Sequence, residues 1–187
     1  MHWVAKAALT AAILGGAGFL WITAPPAPID DQVFQTAGDP VAGSRLFAIG
    51  GCASCHSAPN AQGDARLLLI GGRSFASPFG TFIAPNISPH PTQGIGGWTA
   101  ADLARAMLQG VSPEGQHYYP SFPYTSFSRM TPTQVNDLHS YLVTLPESDV
   151  ASENHDLPLP FKFRRGLGLW KALYLKSGTV ADVPTEA

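Results

Sequence analysis

Cys52-Ala53-Ser54-Cys55-His56 constrains this chain more than any other stretch. Two thiols three positions apart on a short helical turn can each add to one vinyl group of a porphyrin, and the adjacent imidazole then lies beneath the iron as proximal ligand. The pattern is the attachment site of a c-type haem: one haem c, joined covalently through Cys52 and Cys55, with His56 on the metal. A haem inserted edge-on in a small protein needs backbone wrapped around it, so the motif also predicts long loops. Two other readings fit less well. A thioredoxin-type pair expects a βαβ setting that the neighbouring sequence does not offer, and a structural zinc site needs two further ligands.

Length predicts one domain plus extensions among the 187 residues. Gly 19 and Pro 17 favour loops, and a hydrophobic content of 45% supports a core. A formal charge of −2 offers nothing basic enough for nucleic acid. Both cysteines are committed to haem, leaving no disulfide to report a redox compartment. Location must come from the N-terminus. Val4 to Ile22 is apolar except for Lys6 and Thr10, with Trp3 and Trp21 at its ends. As a helix it spans about 28 Å, close to the roughly 30 Å hydrocarbon core, with the tryptophans at the two interfaces. The competing reading is a cleaved secretory signal, against which Ala24 is followed by Pro25 and Pro26 without a small-x-small site. Either way the remainder lies outside the cytoplasm. The expected organisation is a membrane anchor over 1–24, a Pro-rich linker over 25–37 holding the domain off the membrane, a monohaem domain over 38–147, and an extension over 148–187.

Within the domain, Asp39 as N-cap and Pro40 at the first helical position predict a helix with an apolar face of Val41, Leu46, Phe47 and Ile49, ended by Gly50 and Gly51. Gly43 and Phe47, four apart, suit a close helix crossing. Residues 57–97 lack a helical period and read as the wrapping loop, with Leu67–Ile70 and Phe75–Ile83 as pocket walls. Thr99 with Asp102, and Thr131 with Gln134, form capping boxes for two helices. Their stripes are Leu103, Ala106 and Met107, then Val135, Leu138, Tyr141, Leu142 and Leu145. Lys162, Arg164, Arg165, Lys171 and Lys176, interleaved with aromatics and leucines, describe a basic amphipathic segment. It fits an anionic membrane surface or a partner, or else packs back on its own domain with a solvated basic face.

A low-spin haem iron needs a second axial ligand, and the chain has three methionines. Met1 lies in the anchor region and Met107 on an apolar stripe, which leaves Met130 in the loop before a capped helix. The histidine rivals are His90, His117, His139 and His155. Asn86, Trp98, Arg73 and Tyr118 sit in the wrapping segments as donors for haem propionates, Trp98 and Asn86 foremost.

With these residues in place, the chain resembles class I c-type cytochromes. The likeness implies an all-α domain with long haem-wrapping loops, here preceded by a single N-terminal transmembrane helix. Gly43, Phe47 and Tyr141 look like the residues where the first and last helices of such domains cross. Over residues 39–146, the strings Phe79-Gly80-Thr81, Pro85-Asn86-Ile87-Ser88-Pro89, Gly94-Ile95-Gly96-Gly97-Trp98-Thr99 and Tyr119-Pro120-Ser121-Phe122-Pro123-Tyr124 resemble the haem domains of cytochrome subunits of membrane-bound alcohol, gluconate and sugar dehydrogenases. Those subunits usually carry three such domains, and this chain has one motif. Where they often have Met in the Tyr-Pro-x-x-Pro-Tyr string, Phe122 stands here. The resemblance implies an electron carrier, not an enzyme, that is held at the inner membrane with its haem in the periplasm. It would take electrons from a dehydrogenase and pass them to a terminal oxidase or a soluble cytochrome. From Asp30 to Pro160 there are eleven acids and five bases, which favours a basic partner surface. The alternatives are a haem enzyme or sensor with a labile distal site, and a haem-bearing subunit of an oxidase assembly.

Overall fold

The computed structural model describes residues 2–176. Helix α1 (His2–Ile22) has none of its residues buried and meets the domain at its C-terminal end. A single 3₁₀ turn (Asp31–Phe34) precedes α2 (Pro40–Ile49), which runs directly into the short α3 (Cys52–His56). Strands β1 (Ser74–Ser77) and β2 (Gly80–Ile83) interrupt the wrapping loop. Helices α4 (Ala100–Gln109), α5 (Tyr124–Phe127), α6 (Pro132–Leu142) and α7 (Gly166–Tyr174) follow.

Helix starts obey local side-chain chemistry. Asp39 accepts from the Val41 N–H ahead of α2, and reciprocal capping boxes open α4 (Thr99, Asp102) and α6 (Thr131, Gln134). The crossing of α2 and α6 organises the domain. A Cβ on Gly43 would lie 2.6 Å from the Asp137 carbonyl carbon and 2.8 Å from Tyr141 Cβ, so only glycine permits this approach. Phe47 packs edge-on against Tyr141 with ring centroids 5.3 Å apart. The Asp137 carboxylate accepts from the Asp39 N–H at 2.7 Å, tying the two helices at one end. Leu103, Ala104 and Met107 of α4 close the core against Val135, Leu138 and Leu142 of α6.

Three expectations are corrected here. The domain is mostly helical rather than all-α, because β1 and β2 pair antiparallel with Phe75 opposite Phe82. Ser77 makes the turn: its hydroxyl accepts from the Phe79 N–H and donates to the Gly80 carbonyl. Phe75 and Phe79 are exposed and do not wall a pocket; Phe79 meets Phe161, and Phe82 meets Tyr119 and His155. The face expected for α2 is also narrower than its apolar count, since Val41 and Ile49 are 62% and 84% exposed while Gly43 and Phe47 make the contact.

The segment read as a spacer is docked on the domain. Arg105 donates to the Pro26 carbonyl and Gln109 to the Ala27 carbonyl, both at 3.4 Å, and Thr23 is fully buried. The basic C-terminal segment packs back as well, but with its face inverted: Lys171 is buried, and its ammonium donates to the carbonyls of Gln109 and Gly110 at the end of α4. Residues 177–187 of the expected extension lie outside the described residues.

Candidate haem site

Gly51, in the left-handed conformation, breaks α2 from α3 and turns Cys52, Cys55 and His56 onto a single helical turn. Both thiols are free and half-buried. Burial pushes the Cys52 thiol up to about 11, and the neighbouring Cys55 adds to that.

His56 is held from two sides. Its Nδ1–H donates to the Pro85 carbonyl at 2.8 Å, and its own carbonyl accepts from the Gly71 N–H at 2.6 Å. The first bond fixes the tautomer and leaves Nε2 as the ligating nitrogen. Burial lowers the imidazole below its ordinary value despite the Pro85 carbonyl, which favours the neutral form that binds a metal. Gly71 has φ +77°, and a Cβ there would lie 2.5 Å from the Pro85 carbonyl carbon, so the chain can press against Pro85 only with glycine at this position.

Asn86 has a different role from the one expected. It is 3% exposed, and both Nδ2 protons are spent on backbone carbonyls, of Ser148 at 2.9 Å and Val150 at 2.8 Å, while Oδ1 accepts from the Ser88 N–H at 2.8 Å. The amide has no proton left for a propionate. It instead clamps the residue after Pro85 to the chain beyond α6, and so holds the carbonyl that orients His56. Sequence reasoning missed this because the partners are backbone atoms more than sixty residues away, and a carbonyl leaves no signature.

Trp98 and Met130, with Cys52, Ala53, Leu67, Ile87, Phe122 and Phe127, are partly buried against the hydrophobic core that includes Leu69, Ile95 and Leu103. The Trp98 carbonyl accepts from His139 Nε2 at 3.0 Å, and the Met130 N–H donates to the Phe127 carbonyl at 2.9 Å. Met107 is 4% exposed inside the helix core. The other histidines are engaged elsewhere. His117 lies between Lys171 and the Thr23 carbonyl, His155 Nδ1 accepts from the Ile83 N–H, and His90 Nδ1 accepts from the Gln93 N–H. Among the described residues, no three His, Cys, Asp or Glu side chains converge as a zinc site requires.

Two observations test the fit of a haem. Arg73 Nε is buried without a hydrogen-bond partner, as a donor awaiting a carboxylate would be. Burial also raises the Tyr118 phenol beyond its ordinary range, so it stays a neutral donor beside Phe122. Thiols, an oriented imidazole, an apolar wall with a thioether and an orphaned guanidinium nitrogen together suit this cofactor.

The family model described as "Cytochrome c" matches residues 40–146. The chain belongs to the cytochrome c family. Family membership implies haem c and electron transfer. This cytochrome is 52% identical over 167 residues to a protein of Cereibacter sphaeroides called "Diheme cytochrome c-type", covering 89% of this chain and 56% of that one. It is 35% identical over 130 residues to the fructose dehydrogenase cytochrome subunit of Gluconobacter japonicus, covering 69% of this chain and 26% of the subunit. It is 34% identical over 136 residues to the cytochrome c subunit of the quinone alcohol dehydrogenase of Gluconacetobacter polyoxogenes, covering 72% and 28%. The chain thus spans about half the length of the first relative and about a quarter of the other two.

Proposed function

We propose that this cytochrome is a membrane-tethered, periplasmic, monohaem electron carrier that accepts single electrons from a dehydrogenase and delivers them to a respiratory oxidase or a soluble cytochrome. The observation that carries the reading is the single Cys-x-x-Cys-His turn whose His56 is pre-oriented by the Pro85 carbonyl with Nε2 free for iron. Two cysteines serve one haem, in contrast to the diheme relative. The dehydrogenase donor is supported by the cytochrome subunits of the fructose and quinone alcohol enzymes that the chain resembles.

When bound, haem supplies the one-electron iron couple. The protein's own residues do the rest. Cys52 and Cys55 would hold the macrocycle, and His56 Nε2 and Met130, the latter carried by the loop between α5 and α6, would supply the iron's protein ligands. Thioether ligation suits a relay working at positive potential. Arg73, Tyr118 and Trp98 would donate to the propionates, with the Arg73 guanidinium balancing their charge.

Tethering rests on α1. Its 21 residues rise about 32 Å, its side chains are unburied, and mean hydropathy reaches 1.5 across its apolar window. Attachment of haem c outside the cytoplasm supports the periplasmic side for the domain. The decisive experiment is reduction of the membrane-reconstituted protein by candidate quinone-linked dehydrogenases with their substrates, followed by oxidase-dependent reoxidation. A reduced haem that binds carbon monoxide rapidly, with no catalysed reduction by any dehydrogenase, would overturn the carrier reading in favour of an open-site haem protein.

A further inference from the structure

Helix α7 is built inside out. The stripe at Leu169, Ala172 and Leu173, spaced i, i+3, i+4, is exposed, with Leu169 41% and Leu173 66% accessible. Tyr174 is 66% accessible and stacks beside Trp170, with centroids 5.9 Å apart. The buried side carries Gly168 and Lys171. A soluble domain would place its leucines inward and its lysine in water; here the lysine is spent on capping α4 and the leucines are left outside.

What adjoins this face is the end of α1. Arg165, just before α7, donates from Nη2 to the Leu20 carbonyl at 2.7 Å and from Nε to Thr23 Oγ1 at 3.1 Å, capping the C-terminus of the apolar helix. Phe163 stacks on Phe19 with centroids 6.4 Å apart. His117 Nε2 donates to the Thr23 carbonyl at 3.0 Å, and a Cβ on Gly168 would lie 2.6 Å from that same oxygen. The start of α7 therefore adjoins the end of α1, beside Trp21, which is 81% exposed. Trp21 at the end of the span and the Trp170–Tyr174 pair of α7 are amphipathic rings of the kind that favour the headgroup layer. Lys162 and Lys176 flank α7, both exposed, where ammonium groups meet lipid phosphates.

We propose that α7 is an interfacial helix: its Leu169–Leu173–Tyr174 face, with Phe163, enters the boundary between headgroups and acyl chains of an anionic phospholipid bilayer beside the exit of α1. The inference rests on the reading of α1 as a membrane span and goes beyond it. A single span followed by a Pro-rich spacer lets a domain swing. Two points of attachment, with residues 23–27 docked on the domain, hold the haem domain in one orientation against the membrane, so its reach toward partners is set by structure rather than by linker length.

The test uses the full, haem-loaded chain in phosphatidylcholine vesicles with and without phosphatidylglycerol. Leu173→Cys and, separately, Leu169→Cys carry a nitroxide, with Val41→Cys on α2 as the aqueous reference; an unchanged haem spectrum reports folding. Power saturation is read with oxygen and with a water-soluble nickel chelate, each against the same label under nitrogen, which cancels relaxation by the haem. Labels at 173 and 169 are expected to show an oxygen-to-nickel accessibility ratio several-fold above that of 41, rising with phosphatidylglycerol. A protein that floats with the vesicles while its 173 and 169 labels behave like 41 overturns the interfacial helix and leaves the anchor standing. Labels shielded from both reagents place a second protein on this face and also overturn it. A ratio indifferent to phosphatidylglycerol overturns the anionic component. A protein that does not float overturns the anchor and this inference together.

Discussion

Replacing Asn86 by alanine should destabilise the domain and loosen the iron's proximal ligand in one stroke. The substitution removes two donors and one acceptor from a site 3% exposed. Ser148 keeps a partner, because its carbonyl also accepts from Ser88 Oγ at 3.3 Å. The Val150 carbonyl and the Ser88 N–H are left without one. The fully buried Ser88 N–H is an orphan at about 1–3 kcal/mol, whereas the Val150 carbonyl, on a residue 45% exposed, can turn to water, so the expected loss is about 1–3 kcal/mol. Urea unfolding of the haem-loaded protein, followed by far-ultraviolet circular dichroism, measures it. The same titration read through haem absorbance, together with the midpoint potential, reports whether the Pro85 carbonyl still orients His56. Asn86→Asp sharpens the test. Its carboxylate can still accept from Ser88 but faces two carbonyls, which raises its folded pKa above the unfolded value of about 3.9. The variant is then most stable below that value and loses stability as pH rises through the folded pKa. An Asn86→Ala protein within about 0.5 kcal/mol of the parent, or one destabilised with an unmoved potential, would refute the positioning role.

Further outcomes follow from the same contacts. Met130→Ala should abolish the methionine–iron charge-transfer band and lower the midpoint potential, whereas Met107→Ala should leave both in place and cost about 2–5 kcal/mol of stability as a core cavity. Gly43→Ala should cost about 1–3 kcal/mol by denaturant titration even after its gain in helix propensity, because the atoms it strikes are backbone of α6 and cannot rotate away. Burial pushes Lys171 down to about 7 and also lowers His117, so the unfolded chain holds more protons than the folded one. Thermal stability should therefore rise from about pH 7 toward 10 as the lysine deprotonates in the unfolded state too, and fall on acidification below about pH 6.5. Lys171→Met should flatten the alkaline slope.

Much of the domain was legible because it is written in local rules. The Cys52–His56 turn and the caps at Asp39, Thr99 and Thr131 depend on side chains a few positions apart, whereas the Gly43–Phe47–Tyr141 crossing was legible only through the resemblance to class I cytochromes, because spacing alone fits ordinary amphipathic packing equally well. What the sequence hid depends on distant backbone. Asn86 announces an amide but not the Ser148 and Val150 carbonyls that consume it. Lys171 announces a cation and suggests a solvated face, yet the unfilled carbonyls ending α4 draw it inward and turn the leucines of α7 out. The hairpin of β1 and β2 escaped notice because four-residue strands, one largely exposed and the other half-buried on both faces, show no alternation. Val41 and Ile49 satisfy the apolar pattern of α2, but a helix crossing through glycine touches along too narrow a seam to cover them.

The central claim is that one haem is held between His56 and Met130 in a closed electron-transfer site. Near-infrared magnetic circular dichroism of the ferric, full-length protein at neutral pH tests it most directly. The expected result is a single low-spin haem with a histidine–methionine charge-transfer band. A high-spin signal, or the band of bis-histidine coordination, would contradict it.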